Sequence, residues 1–151
     1  MGQYTQVGPF VDGSSPGVQA SFLNGVETAL QSGGMTYWLA TPYHLTTNPT
    51  VNNGSTTTLT CTGGSTGVPT GAKGVILGIG LFSNTAGGGY VNIYPTGAAN
   101  PGQYANFSGP VANQYTLGSC TVPLSAGGQI TVKANVQNCV LQDWYIYGYI
   151  M

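Results

Sequence analysis

The side chains able to act as acid, base, nucleophile or ligand are few. In 151 residues there are one histidine (His44), three carboxylates (Asp12, Glu27, Asp143), two lysines (Lys73, Lys133), three cysteines (Cys61, Cys120, Cys139) and no arginine. Catalysis needs such groups within reach of one another. Glycoside hydrolysis, for example, needs two facing carboxylates. Asp12 and Glu27 belong to an N-terminal segment of different composition, which leaves Asp143 alone in the remainder. His44 has no cysteine or aspartate nearby in sequence and there is no CxxC pair, so a four-ligand zinc site lacks its spacing. A His44–Cys or His44–Ser pair has no local motif behind it. Gly87-Gly88-Gly89 is followed by no Lys-Ser/Thr and reads as a hairpin turn rather than a phosphate loop. The chain is therefore expected not to be an enzyme and to use no cofactor and no metal.

An odd number of cysteines makes a poor disulfide framework. Three small buried hydrophobes is the first reading, with oxidation of Cys120 and Cys139 outside a cell left open. The Asn-x-Ser sequons at Asn53 and Asn106 matter only in a secreted chain.

The elements that must position these residues follow from composition. Charged residues make up 3% of the chain, against about 25% in ordinary domains. Nucleic acid needs a basic footprint, and none exists. The longest apolar stretch, residues 75–82, is broken by Gly78 and Gly80 and is too short to span a bilayer. The N-terminus lacks the charged start and apolar run of a signal peptide. There are 25 glycines and 9 prolines, yet 41% of residues are hydrophobic and the net charge is -1. That balance opposes disorder and fits an all-β protein rich in tight turns. Near-zero net charge favours association, so a homo-oligomer, in particular a trimer, is expected.

Residues 1–34 are read as an arm and docking helix, and residues 35–151 as a β-sandwich domain. After a turn-rich leader, Phe22, Leu23, Val26, Ala29 and Leu30 form a helical stripe, with Ser21 as N-cap and Gly33-Gly34 as the stop. From Met35 the period becomes two. Residues 35–40 read as a strand and 41–55 as a loop or weak hairpin with a turn at Asn53-Gly54. Residues 56–62 are β-branched and alternating. In GVILGIGLF, Val75, Leu77, Ile79 and Leu81 share one face, while Gly74, Ile76, Gly78, Gly80 and Phe82 share the other. Glycines at alternate strand positions mark close approach of a neighbour or a bend. Val91 and Ile93 point inward, and Tyr90, Asn92 and Tyr94 outward. Turns recur every 8–12 residues or so, which predicts seven to nine strands in a jelly-roll or Greek-key β-sandwich.

In the last strand, alternation places Val140, Gln142, Trp144, Ile146, Gly148 and Ile150 on one face. Leu141, Asp143, Tyr145, Tyr147 and Tyr149 lie on the other. Tyr145, Tyr147 and Tyr149 are the candidate contact face, either for another subunit, where tyrosine packs across strands, or for a stacked glycan.

Two resemblances are visible. The segment FVDGSSPGVQASFLNGVETALQ resembles a short N-terminal motif of bacteriophage tail-fibre, baseplate and related virion proteins, carried by Asp12, Gly13, Pro16, Ala20, Leu23, Asn24 and Glu27. It implies a helix that docks a module onto a virion, with Asp12, Pro16, Ala20, Leu23, Asn24 and Glu27 as anchor residues. Residues 67–150 are similar to β-sandwich modules of actinobacterial cell-surface proteins, through Val68, Pro69, Gly71, Ala72, Gly89, Tyr90, Tyr94 and Pro95.

Together these imply a non-enzymatic virion-surface protein, a capsid decoration (cement) protein or a short head-projecting fibre, with capsid or tail proteins as partners. The alternative is a tail-fibre or receptor-binding module that contacts host surface glycans. No shaft separates the arm from the β domain, and a start at Met1 with an end inside a strand reads as a complete small product.

Overall fold

The computed structural model describes residues 34–45, 49–83, 90–99, 104–108, 112–135 and 138–151. The expected helix after Ser21 and the anchor residues Asp12, Pro16, Ala20, Leu23, Asn24 and Glu27 lie outside the described residues. The chain divides into two compact units, Met1–Met35 with Met151, and Thr36–Ile150. The described strands all belong to the second.

They are β1 (Thr36–His44), β2 (Thr50–Val51), β3 (Thr56–Thr60), β4 (Gly74–Ser83), β5 (Tyr90–Pro95), β6 (Ala105–Ser108), β7 (Gln114–Pro123), β8 (Gln129–Asn135) and β9 (Cys139–Ile150), with a 3-10 turn at Gly64–Thr66. They form two antiparallel sheets. One has the order β1-β9-β4-β7, with β2 also on β9, and the other the order β3-β8-β5-β6. The unit is an all-β sandwich.

The alternation predicts the fully buried residues of β4 and β5, but Asn92 and Tyr94, expected to point outward, are buried as well, at 5% and 7% exposure. Val75, Leu77 and Leu81 are fully buried and Ile79 nearly so, and from the other sheet Val91, Ile93, Ile130 and Val132 are fully buried. The sheets come close where the Phe107 ring meets Gly118. A Cβ there would stand 2.7 Å from the ring edge, closer than packed carbon atoms approach.

The strand expected over residues 35–40 runs on to His44, four residues into the expected loop. Its pairing with β9 is interrupted between Trp38 and Tyr43 and resumes as Tyr43↔Ile146 and His44↔Tyr145. Pro42 lies in the interruption. It has no N–H to give to a ladder and is tolerated here on a sheet edge, which is why the pattern breaks in sequence while the strand continues in space.

Candidate functional site

Two irregularities in β9 decide which way its side chains point. Gly78 pairs with Tyr145 and Gly80 with Gln142, so β9 carries an extra residue there. Asp143, in that stretch, has φ 56°, a left-handed conformation that aspartate tolerates better than most residues. Further on, Ile76 pairs with Gly148 but Leu77 with Ile146, which makes Tyr147 a second extra residue. Each bulge reverses the in/out alternation.

Two expectations change as a result. Leu141 joins Trp144 and Ile146 in the core, all fully buried, whereas Val140 and Gln142 pair with Phe82 and Gly80 on the opposite face. The three tyrosines are also divided. Tyr145 and Tyr147 share the outer face, with rings stacked at 6.5 Å. Tyr149 pairs with core-facing Val75 and stacks on Tyr37 at 5.1 Å and 16°. At the first bulge the Trp144 indole N–H donates to the Gly80 carbonyl at 2.7 Å, satisfying a buried acceptor where the ladder is irregular.

The outer face of this sheet is rich in aromatic and aliphatic side chains, with Gln142, Ser119 and Thr121 among them. His44 lies against Tyr145 at 4.9 Å, and Tyr147 lies over Gly78. Trp38, in register with Gly148, is 69% exposed, Leu117 75% and Tyr115 55%. Tyr115 packs on Phe82 at 5.0 Å, and Ile76 and Ile150 are half-buried on the same side. Sequence reasoning missed Trp38, Tyr115 and Leu117. Their one available signal was the run of glycines on β4, which lie on this face beneath the large side chains.

The outer side of the other sheet carries hydrogen-bonded amides and hydroxyls together with Tyr90 and Tyr94, and Asn92, Tyr94 and Thr131 there are buried. The Asn135 side-chain amide donates to Asn92 Oδ1 at 2.7 Å, and Asn92 Nδ2 donates to Asn106 Oδ1. This amide row crosses β8, β5 and β6. Thr96 and Thr131 share a hydroxyl hydrogen bond of 3.0 Å, and Gln129 Nε2 donates to Thr60 Oγ1 at 3.3 Å. Asn92 is 5% exposed, Tyr90 49%.

Among the described residues no cluster of three His, Cys, Asp or Glu could hold a metal, and no helix is long and apolar enough to cross a membrane. The three cysteines are thiols, not disulfides. Burial pushes Cys61 up to about 12 and Cys120 up to about 11, the opposite of what an activated thiolate requires.

No family model matches the chain, and no curated protein matches it. Among solved structures it is similar to a carbohydrate binding module from the Cellvibrio mixtus lichenase 5A, solved in complex with cellotriose. The two are 17% identical, with 77% of this chain and 95% of that one covered at a TM-score of 0.34.

Proposed function

We propose that the chain is a non-catalytic structural module of a virion surface that assembles with copies of itself through the outer face of the β1-β9-β4-β7 sheet. The observation that carries this is the set of large side chains exposed on that outer face, Trp38, Tyr115 and Leu117, with Tyr145 and Tyr147 stacked between them. Contiguous exposed apolar surface on a soluble domain marks an interaction site.

The occupant is a second copy. Within the strands of this sheet the one formal charge is Asp143, so the face meets its own copy with little repulsion. Four strands about 4.8 Å apart, each of roughly ten residues rising about 3.3 Å, give a face of roughly 600 Å². That is the order of the ~800 Å² per partner in stable interfaces. Closed symmetry is the usual outcome for identical subunits, and the state proposed is a trimer.

The proposed architecture is a jelly roll. β1 and β2 pair with β9, β3 with β8, β4 with β7 and β5 with β6. These are the rungs of one long antiparallel ribbon, and the β9–β4 and β8–β5 pairs are the contacts made when it rolls into two sheets. Viral capsid and lectin domains use this architecture, although fold alone does not assign function. Placement on a virion is supported by the motif resemblance of residues 12–27. Rebinding tests it: the purified protein, added to phage particles lacking it, should occupy repeated positions on the capsid or tail in particle images. A chain starting at Met35 should fold yet fail to bind. Absence of any binding by the full chain contradicts the virion role.

A further inference from the structure

We infer that β7 is a pairing edge that takes up the β7 strand of a second copy of this chain, antiparallel and centred on Gly118. This contact is separate from the outer face of the sheet. It extends the sheet sideways, from one copy into the next.

Among the described residues β7 ends its sheet, with β4 on one side and no strand on the other. It matches β4 residue for residue from Gly74↔Pro123 to Ser83↔Gln114, with no bulge. Two bonds fix the direction of its backbone groups. Leu124 donates its N–H to the Lys73 carbonyl at 2.7 Å, and the Gly80 carbonyl is turned the other way, to Trp144 of β9. Successive strand residues turn their N–H and C=O to opposite sides. Thr116, Gly118, Cys120 and Val122 therefore address β4, and Tyr115, Leu117, Ser119 and Thr121 address the open edge. Pro123 also falls on the open side, where its missing N–H breaks no bond to β4.

An unpaired row of N–H and C=O groups is a template for another strand, and sheet edges are normally blunted against it. The other outer strands are blunted. The β1 pairing is interrupted around Pro42, β3 has 5 residues and β6 has 4. β7 has 10 residues, no charge and no proline before its last position. The side chains of Tyr115, Leu117, Ser119 and Thr121 are all exposed.

Charge and register select the occupant. A strand without charge meets its own reversed copy with no like charges opposed. Centring on Gly118 sets Tyr115 against Thr121 of the second copy, and Leu117 against its Ser119. All four outward residues then find partners at once, in about eight backbone hydrogen bonds across a two-fold axis. Such a ladder covers few side chains and must offset the cost of association, so the pairing depends on concentration.

The test is sedimentation of the full chain from dilute to concentrated solution, with amide exchange followed by NMR. The mass should rise to about twice its dilute value or more. Over the same range, exchange at Tyr115, Leu117, Ser119 and Thr121 should slow about tenfold or more. Exchange at Thr116, Gly118 and Cys120, already bonded to β4, should change little. Ser119→Pro removes an edge N–H at a position that costs the β4 ladder nothing, and should keep the dilute mass throughout. Ser119→Ala, which keeps the N–H, should still pair. Circular dichroism checks each fold, and if Ser119→Pro does not fold, the wild-type exchange pattern decides alone. A mass that never rises, unchanged exchange at the four outward amides, or pairing by folded Ser119→Pro would each overturn the inference. Trp38→Lys, on β1 at the far end of the sheet, separates the two contacts. It should lower the dilute mass by opening the outer face and leave the rise with concentration intact. A monomeric dilute wild type counts against the face alone, and a mass independent of concentration against the edge alone.

Discussion

The Tyr147 ring lies across Gly78 of the neighbouring strand, so close that a Cβ at position 78 would stand 2.7 Å from the tyrosine hydroxyl. The glycine makes room on the outer face of the sheet for a ring that the second β9 bulge turns outward. Gly80 and Gly148 serve a different purpose. A Cβ at either would run into backbone, the Gln142 carbonyl for Gly80 and the Tyr37 carbonyl for Gly148.

This difference orders three substitutions. Gly80→Ala and Gly148→Ala should each cost about 1–3 kcal/mol, because backbone must move to admit the methyl group. Gly78→Ala should cost less than about 1 kcal/mol, since the tip of an exposed ring can swing away. Denaturant unfolding measures all three, and a Gly78→Ala penalty above the other two would contradict the packing described.

Trp144 fills the core and also satisfies the Gly80 carbonyl. Trp144→Ala should cost about 3–5 kcal/mol as a large core truncation. Trp144→Phe, which keeps an aromatic ring but loses the N–H, should still cost about 1–3 kcal/mol for the unpaired acceptor. A neutral Trp144→Phe in the same unfolding assay would show that the indole hydrogen bond contributes nothing.

Cys61 and Cys120 should resist thiol reagents at pH 8 in the folded protein and react once it is denatured. Both are pushed up from 9.0 by burial, to about 12 and about 11. A group whose folded value is raised stabilises the fold fully below its unfolded value, and that contribution is lost as pH rises. Stability should therefore fall from about pH 9 towards pH 11–12, and substituting Cys61 and Cys120 with Ala should flatten that limb. Rapid labelling of both thiols in the native state would contradict their burial.

Electrostatics should matter little near neutrality. Two lysines and three carboxylates in the whole chain allow at most two such ion pairs, and exposed pairs contribute about 0–1 kcal/mol each. The melting temperature should hardly move between low and high salt. A strong salt dependence would reveal a bound ion or a charged interface.

Much of the fold was legible because β4 and β5 alternate without interruption, so the core residues Val75, Leu77, Leu81, Val91 and Ile93 could be read from period two alone. The facing of β9 was legible only in part. The adjacent polar pair Gln142-Asp143 between Leu141 and Trp144 breaks period two at the first bulge, a signal the strict alternation passed over, whereas nothing in the residue types marks Tyr147 as an extra residue. Bulges are set by pairing with β4, which is a property of the partner as much as of the strand. β1 was cut short for a related reason, since Pro42 breaks the pattern at an edge that tolerates it. The outer face was only half visible. The tyrosines of β9 drew attention, but Trp38, Tyr115 and Leu117 come from two other strands and converge only once the sheet order is known.

The measurement that bears most directly on the central claim is molecular mass in dilute solution, by sedimentation or light scattering, for the wild type and for Leu117→Lys. Leu117 is 75% exposed on the proposed contact face, so a lysine there is harmless to a monomer and disruptive to a packed apolar interface. The wild type should run at a multiple of the chain mass, three by the proposed symmetry, and Leu117→Lys should fall to the monomer with an unchanged circular dichroism spectrum. A monomeric wild type, or a variant that stays assembled, would contradict assembly through this face.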